Sequence, residues 1–367
     1  VAILGRLEGR LAADWNKSAP LPKSHRGRGR RCRAGDFASL ADYVEKFPRI
    51  SAKDYRRLKK ERGDLFLMDQ RFAGAPMARC LSSGSSGMPA EFLRTPHESA
   101  AIDGAKTVYT FVSGGVRPWH RIMSMKPDWD MRRRRHPLQA LGLFRRFDAS
   151  FLEDADVIFD RIAASGVNVL TGRAGMMRKI AERAAETGRE VAPMAVILPG
   201  GEMVSPQTRK LLCEVFRPRR YGELYGSTET ALIALRKGEG DYQVNYRSVF
   251  FAPSDPRTEA GITTGEIAVT SLHSAAAPIL MMELGDVVSC RNYDQLLSLG
   301  ASISAIAGRA DEYALGRDGE KVYAVTFYSL FTREPRGAPI PLCRPHSLRG
   351  QGQGQHRHQP ARASPAA

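Results

Sequence analysis

The sequence predicts an α/β fold: a doubly wound, mainly parallel sheet carrying a smaller β-rich subdomain. Three observations predict it. From about residue 150 short apolar runs alternate with amphipathic helical segments at the spacing of strand–helix–strand units. Two of these runs end in glycine-containing turns, Gly200-Gly201-Glu202 and Gly226-Ser227-Thr228-Glu229. Such sheets bind ligands beyond the carboxyl ends of their strands, so both turns are expected on one rim. Past residue 260 the runs follow one another without helices between them, which points to antiparallel pairing.

In chain order, residues 37–47 and 52–61 predict two short helices, the second rich in Lys and Arg. Arg121 to Lys126 predicts a strand, with Trp119 and Trp129 beside it as core or pocket-wall residues. Residues 153–164 put Ala155, Ile158, Phe159 and Ile162 on one helical face, and Gly166 supplies the stop. A strand is expected at 167–170, a helix at 175–186 ended by Gly188, and a strand at 195–198. Ser205-Pro206, an N-cap followed by Pro at the first helical position, opens a helix to about Phe216 with Cys213 on its apolar face. Tyr221 to Leu224 is the next strand, and 266–270 and 278–282 are expected strands of the antiparallel unit.

Composition narrows the class. The chain has 367 residues, 43% of them hydrophobic, enough for a substantial core. No run of eighteen apolar residues predicts a membrane-spanning helix. Five scattered cysteines without a Cys-x-x-Cys pair argue against a disulfide scaffold or a cysteine zinc site and fit a reducing cytoplasm. The net charge of +16 is concentrated at the ends: residues 1–35 carry +7, residues 331–367 carry +5, and the body only +4. The basic ends can touch phosphate backbones non-specifically, but no specific nucleic-acid partner and no membrane are expected. Residues 1–35 read as a disordered basic arm with no apolar stretch of the signal-peptide kind, and 331–367 as a low-complexity disordered tail.

Two segments carry chemistry. Ser82-Ser83-Gly84-Ser85-Ser86-Gly87 packs four hydroxyls and two glycines into six residues, a loop able to wrap a polyphosphate with N–H and O–H donors. A flexible linker has the same composition. Tyr225-Gly226-Ser227-Thr228-Glu229 offers an aromatic face, hydroxyls and a carboxylate after a strand, which suit adenine, a phosphate oxygen and Mg2+. The plainer alternative is a strand-to-helix turn with Thr228 as its N-cap. The four-arginine run Arg132 to Arg135 is expected to be a solvated turn, and His120, His136 and His273 are isolated.

In this order and spacing the segments resemble the adenylate-forming superfamily of acyl- and aryl-CoA synthetases, in particular the phenylacetate-CoA ligase, capsular polysaccharide biosynthesis and coenzyme F390 synthetase-like branch. Ser82 to Pro89 resembles the pyrophosphate loop, and Gly200-Gly201-Glu202 the adenine loop. Tyr225 to Glu229 resembles the Tyr-Gly-x-Thr-Glu motif, Gly285-Asp286 the ribose-binding Gly-Asp, and Gly308-Arg309-Ala310-Asp311 the hinge. Phe47-Pro48-Arg49-Ile50-Ser51-Ala52-Lys53 is similar to an early stretch of that branch. The resemblance spans roughly residues 40–328.

It implies a large domain over 36–307 and a hinge with the remnant of a small domain over 308–330. It also implies ATP-dependent activation of a small carboxylic acid to an acyl-adenylate, followed by transfer to coenzyme A. Ser82, Ser83, Gly84, Ser85, Ser86 and Gly87 would hold the leaving phosphates, Thr228 the α-phosphate, and Glu229 Mg2+. Gly200, Gly201, Glu202, Tyr225, Gly226 and Ser227 would frame the adenine side, Asp286 the ribose, and Arg309 the ribose or a phosphate.

The sequence also departs from the pattern. Ala90 replaces the usual Lys or Thr, and Met281-Met282 the usual Arg-Tyr. Lys321 is the only lysine past the hinge, far earlier than the family's catalytic lysine. A truncated nucleotide-binding relative with little turnover is therefore the alternative expectation.

Overall fold

The computed structural model describes residues 39–64, 67–81, 90–126, 137–150, 152–315 and 321–323. Cys32, Ser82 to Pro89, Trp129, Arg132 to Arg135, His136, Cys343 and the two terminal segments 1–35 and 331–367 lie outside the described residues.

Five strands form the parallel half of one sheet: β4 (Ile122–Lys126), β5 (Arg146–Ser150), β6 (Val169–Arg173), β7 (Val196–Gly200) and β8 (Arg220–Ser227), in the order β5-β4-β6-β7-β8. Consecutive side chains on these strands enter opposite cores. Ile122, Val169, Val196 and Leu198 pack on one face with Val116, and Met123, Leu170 and Ile197 pack on the other. This period of two explains why a run such as Val196-Ile197-Leu198 is apolar at consecutive positions: both faces are covered.

Three helices cover the second face: α4 (Ala155–Ser165), α5 (Ala174–Thr187) and α6 (Pro206–Phe216). Their ends follow the expected signals. Gly166 and Gly188 stand in the left-handed region after α4 and α5, and Ser205 accepts the Thr208 N–H at the start of α6. Ile158, Phe159 and Ile162 are the buried face of α4. The first face is covered by α3 (Pro96–Gly114), which contributes Tyr109 and Phe111. It begins on a capping box, Thr95 with Glu98, and Pro96 at its first turn. Two shorter helices, α1 (Leu40–Lys46) and α2 (Ala52–Arg62), match the first two predicted helices.

At β8 the sheet changes direction. A turn over residues 228–230 leads into β9 (Ala231–Lys237), antiparallel to β8, so the strand-to-helix alternative for Thr228 is excluded. The antiparallel half continues through β10 (Tyr242–Val244), β14 (Ser302–Arg309), β13 (Met282–Arg291), β12 (Ile262–Ser271) and β11 (Val249–Glu259). Its core is a separate buried cluster built around Val249 to Ala252, Ile267 to Val269, Tyr225 and Tyr43 of α1. The short β1 (Ile50–Ser51) pairs with β13. Two hairpins stand apart from this sheet: β2 (Ala78–Leu81) with β3 (Glu91–Arg94), and β15 (Tyr313–Leu315) with β16 (Lys321–Tyr323).

Three expectations are corrected. Residues 278–281 are not strand; β13 starts at Met282, and Met281 has a left-handed backbone, φ 43°, which breaks extended pairing. Trp119, expected as a core or pocket-wall residue, is 64% exposed in the loop between α3 and β4. Cys213 is only half-buried; Leu212 and Phe216 supply the core face of α6.

Candidate functional site

The carboxyl ends of β7 and β8 lie side by side, with Gly200 opposite Leu224, so both glycine turns fall on one rim of the sheet. Gly200 is required by that approach: a Cβ there would lie 2.6 Å from the Leu224 carbonyl oxygen. Gly201 has φ 70°, the left-handed conformation that turns the chain off the sheet. Glu202 folds back over the start of α5. Its Oε2 accepts the Gly175 N–H at 2.8 Å and its Oε1 lies 3.2 Å from Arg173, so it caps a helix whose own N-cap residue, Arg173, makes no side-chain cap bond.

At the end of β8 the Tyr225 ring is buried against Tyr242, edge to face at 6.4 Å, and its hydroxyl donates to Asp286 Oδ2 at 2.8 Å. Burial and the Asp286 charge hold the Tyr225 phenol well above its ordinary range. Asp286 is presented by β13 opposite Arg309 on β14. Arg309 Nη1 donates to Asp286 Oδ1 at 3.1 Å and to the Leu284 carbonyl at 2.9 Å. Gly285 lies directly under this guanidinium, and a Cβ there would come within 2.6 Å of Nη2. Tyr225, Asp286 and Arg309, far apart in sequence, are thus one hydrogen-bonded chain joining the two halves of the sheet.

Gly226 lets β8 and β9 close on each other, since a Cβ would run into the Ala231 backbone oxygen. Ser227 Oγ lies 3.3 Å from Thr230 Oγ1. Glu229 is 7% exposed and pairs with no cation within 4 Å among the described residues. Burial pushes its carboxyl up from the ordinary value, and the Asp286 charge adds to this; its own backbone N–H, Ser227 and Arg94 pull the other way. A carboxyl raised by desolvation and by a neighbouring carboxylate, at the carboxyl rim of the sheet, is a candidate functional group.

Arg94 is a site residue that the sequence motifs do not contain. It ends β3, is 8% exposed, and donates from Nη2 to the carbonyl oxygens of both Thr228 and Glu229. Its signal in the sequence is slight: one arginine closing the segment Glu91-Phe92-Leu93-Arg94, directly before a capping box. Ala90, directly before β3 at the connecting end of the same hairpin, is buried in a cluster with Tyr55, Phe92, Ile279 and Met282. An uncharged small residue there is therefore a packing choice.

Compared with known proteins, the chain is similar in structure to 2-hydroxyisobutyryl-CoA ligase. Against its open conformation in complex with 2-HIB-AMP and CoA the identity is 16%, over 91% of this chain and 74% of that one, with a TM-score of 0.69. Against its postadenylation state in complex with 2-HIB-AMP the identity is 15%, over 91% and 72%, with a TM-score of 0.71. No family model and no curated protein matches the chain by sequence. The chain shares the fold of these acyl-CoA ligases, as the motifs led us to expect. No helix among the described residues is long and apolar enough to cross a membrane.

Proposed function

We propose that the chain activates a small carboxylic acid with ATP and passes the acyl group to coenzyme A. The carrying observation is the cluster at the rim of the sheet: Tyr225, Asp286 and Arg309 linked by hydrogen bonds, with the buried carboxyl of Glu229 beside them. The likeness in fold to a CoA ligase bound to an acyl-AMP supports the same reading.

In the proposed reaction an oxygen of the acid attacks the α-phosphorus of ATP, and the bond to the bridging oxygen breaks to release pyrophosphate. Charge grows on the phosphoryl oxygens, so the site must supply positioned donors and positive charge. Ser82 to Gly87 would hold the leaving phosphates and the Thr228 hydroxyl the α-phosphate. Asp286 suits the ribose diol. Each of its oxygens already accepts one bond, from Tyr225 or Arg309, and keeps a lone pair for a diol hydroxyl. Arg309 would lie beside the ribose or a phosphate. Because the Glu202 carboxylate is committed to Gly175 and Arg173, the backbone of Gly200 and Gly201 is what that turn offers a purine. Tyr225 would wall the adenine side.

The donor set also fits Mg2+. That ion takes one or two protein carboxylates and completes its shell with phosphate oxygens and water, and Glu229 is a desolvated carboxyl with no ion-paired cation among the described residues. Bound there, Mg2+ would neutralise charge on the phosphates. Residues 308–311 are proposed as the hinge between a large domain over 36–307 and the segment 308–330; Arg309 closes the β13–β14 ladder and Asp311 follows it.

The test is exchange of labelled pyrophosphate into ATP across a panel of carboxylic acids, with calorimetry for ATP itself. Acid-dependent exchange that vanishes in Asp286→Ala supports the proposal. Absence of ATP binding by the folded chain would sink it.

A further inference from the structure

Arg94 is held from both sides before its side chain reaches anything. In the β2–β3 hairpin it stands opposite Ala78, Phe92 two residues earlier stacks on Tyr55 at 4.9 Å, and Thr95 immediately after it caps α3. In sequence, residues 82–89, which lie outside the described residues, fall between the two strands of this hairpin. From that anchored base the guanidinium crosses to the β8–β9 turn. Nη2 bridges the Thr228 and Glu229 carbonyls, 2.9 Å from the latter, and Nη1 lies 3.8 Å from Cys80 Sγ.

Among the described residues no carboxylate lies within ion-pair distance of it. Withdrawing a guanidinium from water without such a partner is costly. The compensation here is a pair of carbonyls in a three-residue turn that lies outside the ladder of β8 and β9. A planar, always charged donor group suits that task better than a lysine ammonium.

We propose that Arg94 is the positioning residue that fixes the Thr228–Glu229 turn, and so the Glu229 carboxylate, for the Mg2+ of bound ATP. This rests on the ATP reading above. One guanidinium would then tie the β2–β3 hairpin to the turn that carries the metal carboxylate. Arg94 touches neither nucleotide nor metal in this account; it acts through the turn.

The experiment is calorimetric titration of ATP at a series of Mg2+ concentrations, and of AMP without Mg2+, for the parent, Arg94→Met and Arg94→Lys. A buried charge-assisted bond is lost in Arg94→Met, so the Mg2+ concentration for half-maximal ATP binding should rise about tenfold or more, with AMP affinity held within about twofold. Arg94→Lys, which keeps the charge, should fall between. An unchanged Mg2+ requirement, or equal losses for AMP and Mg-ATP, overturns the proposal. If Arg94→Met does not fold, Arg94→Lys is judged by the same criterion.

A parent that binds no Mg-ATP would defeat the nucleotide reading, and this shows before any substitution is made. Amide exchange then decides what is left: Arg94→Lys must speed exchange in residues 228–231 and leave α5 unchanged. Equal exchange there would overturn the hold on the turn itself.

Discussion

Glu223 and Glu229 lie six residues apart, one inside β8 and one in the turn that ends it, and both are buried, 1% and 7% exposed. Their surroundings are opposite. Glu223 takes Arg209 at 2.7 Å and the Tyr221 hydroxyl at 3.1 Å on Oε1, and the Tyr242 hydroxyl at 2.6 Å on Oε2, with Arg236 at 3.7 Å. Among the described residues Glu229 has a serine hydroxyl and its own backbone N–H as hydrogen-bond donors, the Asp286 carboxylate as a charged neighbour, and Arg94 on the carbonyls behind it. The difference teaches what burial of a carboxylate means in this sheet. A saturated one is a structural cross-tie among β8, α6, β9 and β10. An unsaturated one at the rim carries an electrostatic cost that a bound cation would relieve.

The largest expected effect breaks the saturated side. Glu223→Ala leaves Arg209 and two tyrosine hydroxyls without their acceptor, and should cost about 3–5 kcal/mol of folding stability in urea denaturation. A loss below about 1 kcal/mol would show that the cluster is not a cross-tie. Next, Asp286→Ala should weaken ATP and AMP alike by roughly 1.5–3 kcal/mol, since both share the ribose. Circular dichroism of the variant separates this from unfolding, because Tyr225 and Arg309 also lose a partner.

A smaller effect is expected at Tyr225. Tyr225→Phe removes only the hydroxyl donated to Asp286 and should lower stability by about 1 kcal/mol. The smallest concerns pH. With its carboxyl raised above the ordinary 4.5 by burial, Glu229 keeps a proton in the folded state at pH values where the unfolded chain has released it. Its contribution is intact below 4.5 and is lost as pH rises through the folded value. The parent should therefore lose stability relative to Glu229→Gln over that interval. Parallel stability–pH curves for the two would remove the electrostatic distinction between Glu223 and Glu229.

The parallel half was legible because its signals are local. Val196-Ile197-Leu198 is apolar on both faces, and Gly166, Gly188 and Ser205-Pro206 mark helix ends by backbone preference alone. The antiparallel half was less so. β11 runs through Pro253 and Pro256 with Asp255 at φ 45°, a bulged strand whose composition argues against strand. Of the candidate site, the residues from 200 onward were found as short motifs, and their convergence follows from strand order. Two things were not legible. Glu202 turning back onto α5 and Arg94 reaching the 228–230 turn are both tertiary contacts between segments that no local pattern links.

The most direct measurement is the affinity for ATP, with and without Mg2+, of the parent and of Glu229→Gln. The substitution keeps the shape of the side chain and removes its charge. The account predicts that Mg2+ tightens ATP binding to the parent, that Glu229→Gln loses about tenfold or more of that affinity, and that the two proteins agree within about twofold in its absence. Equal Mg-ATP affinity for the two would contradict the claim that the unsaturated carboxyl at the rim is the metal ligand.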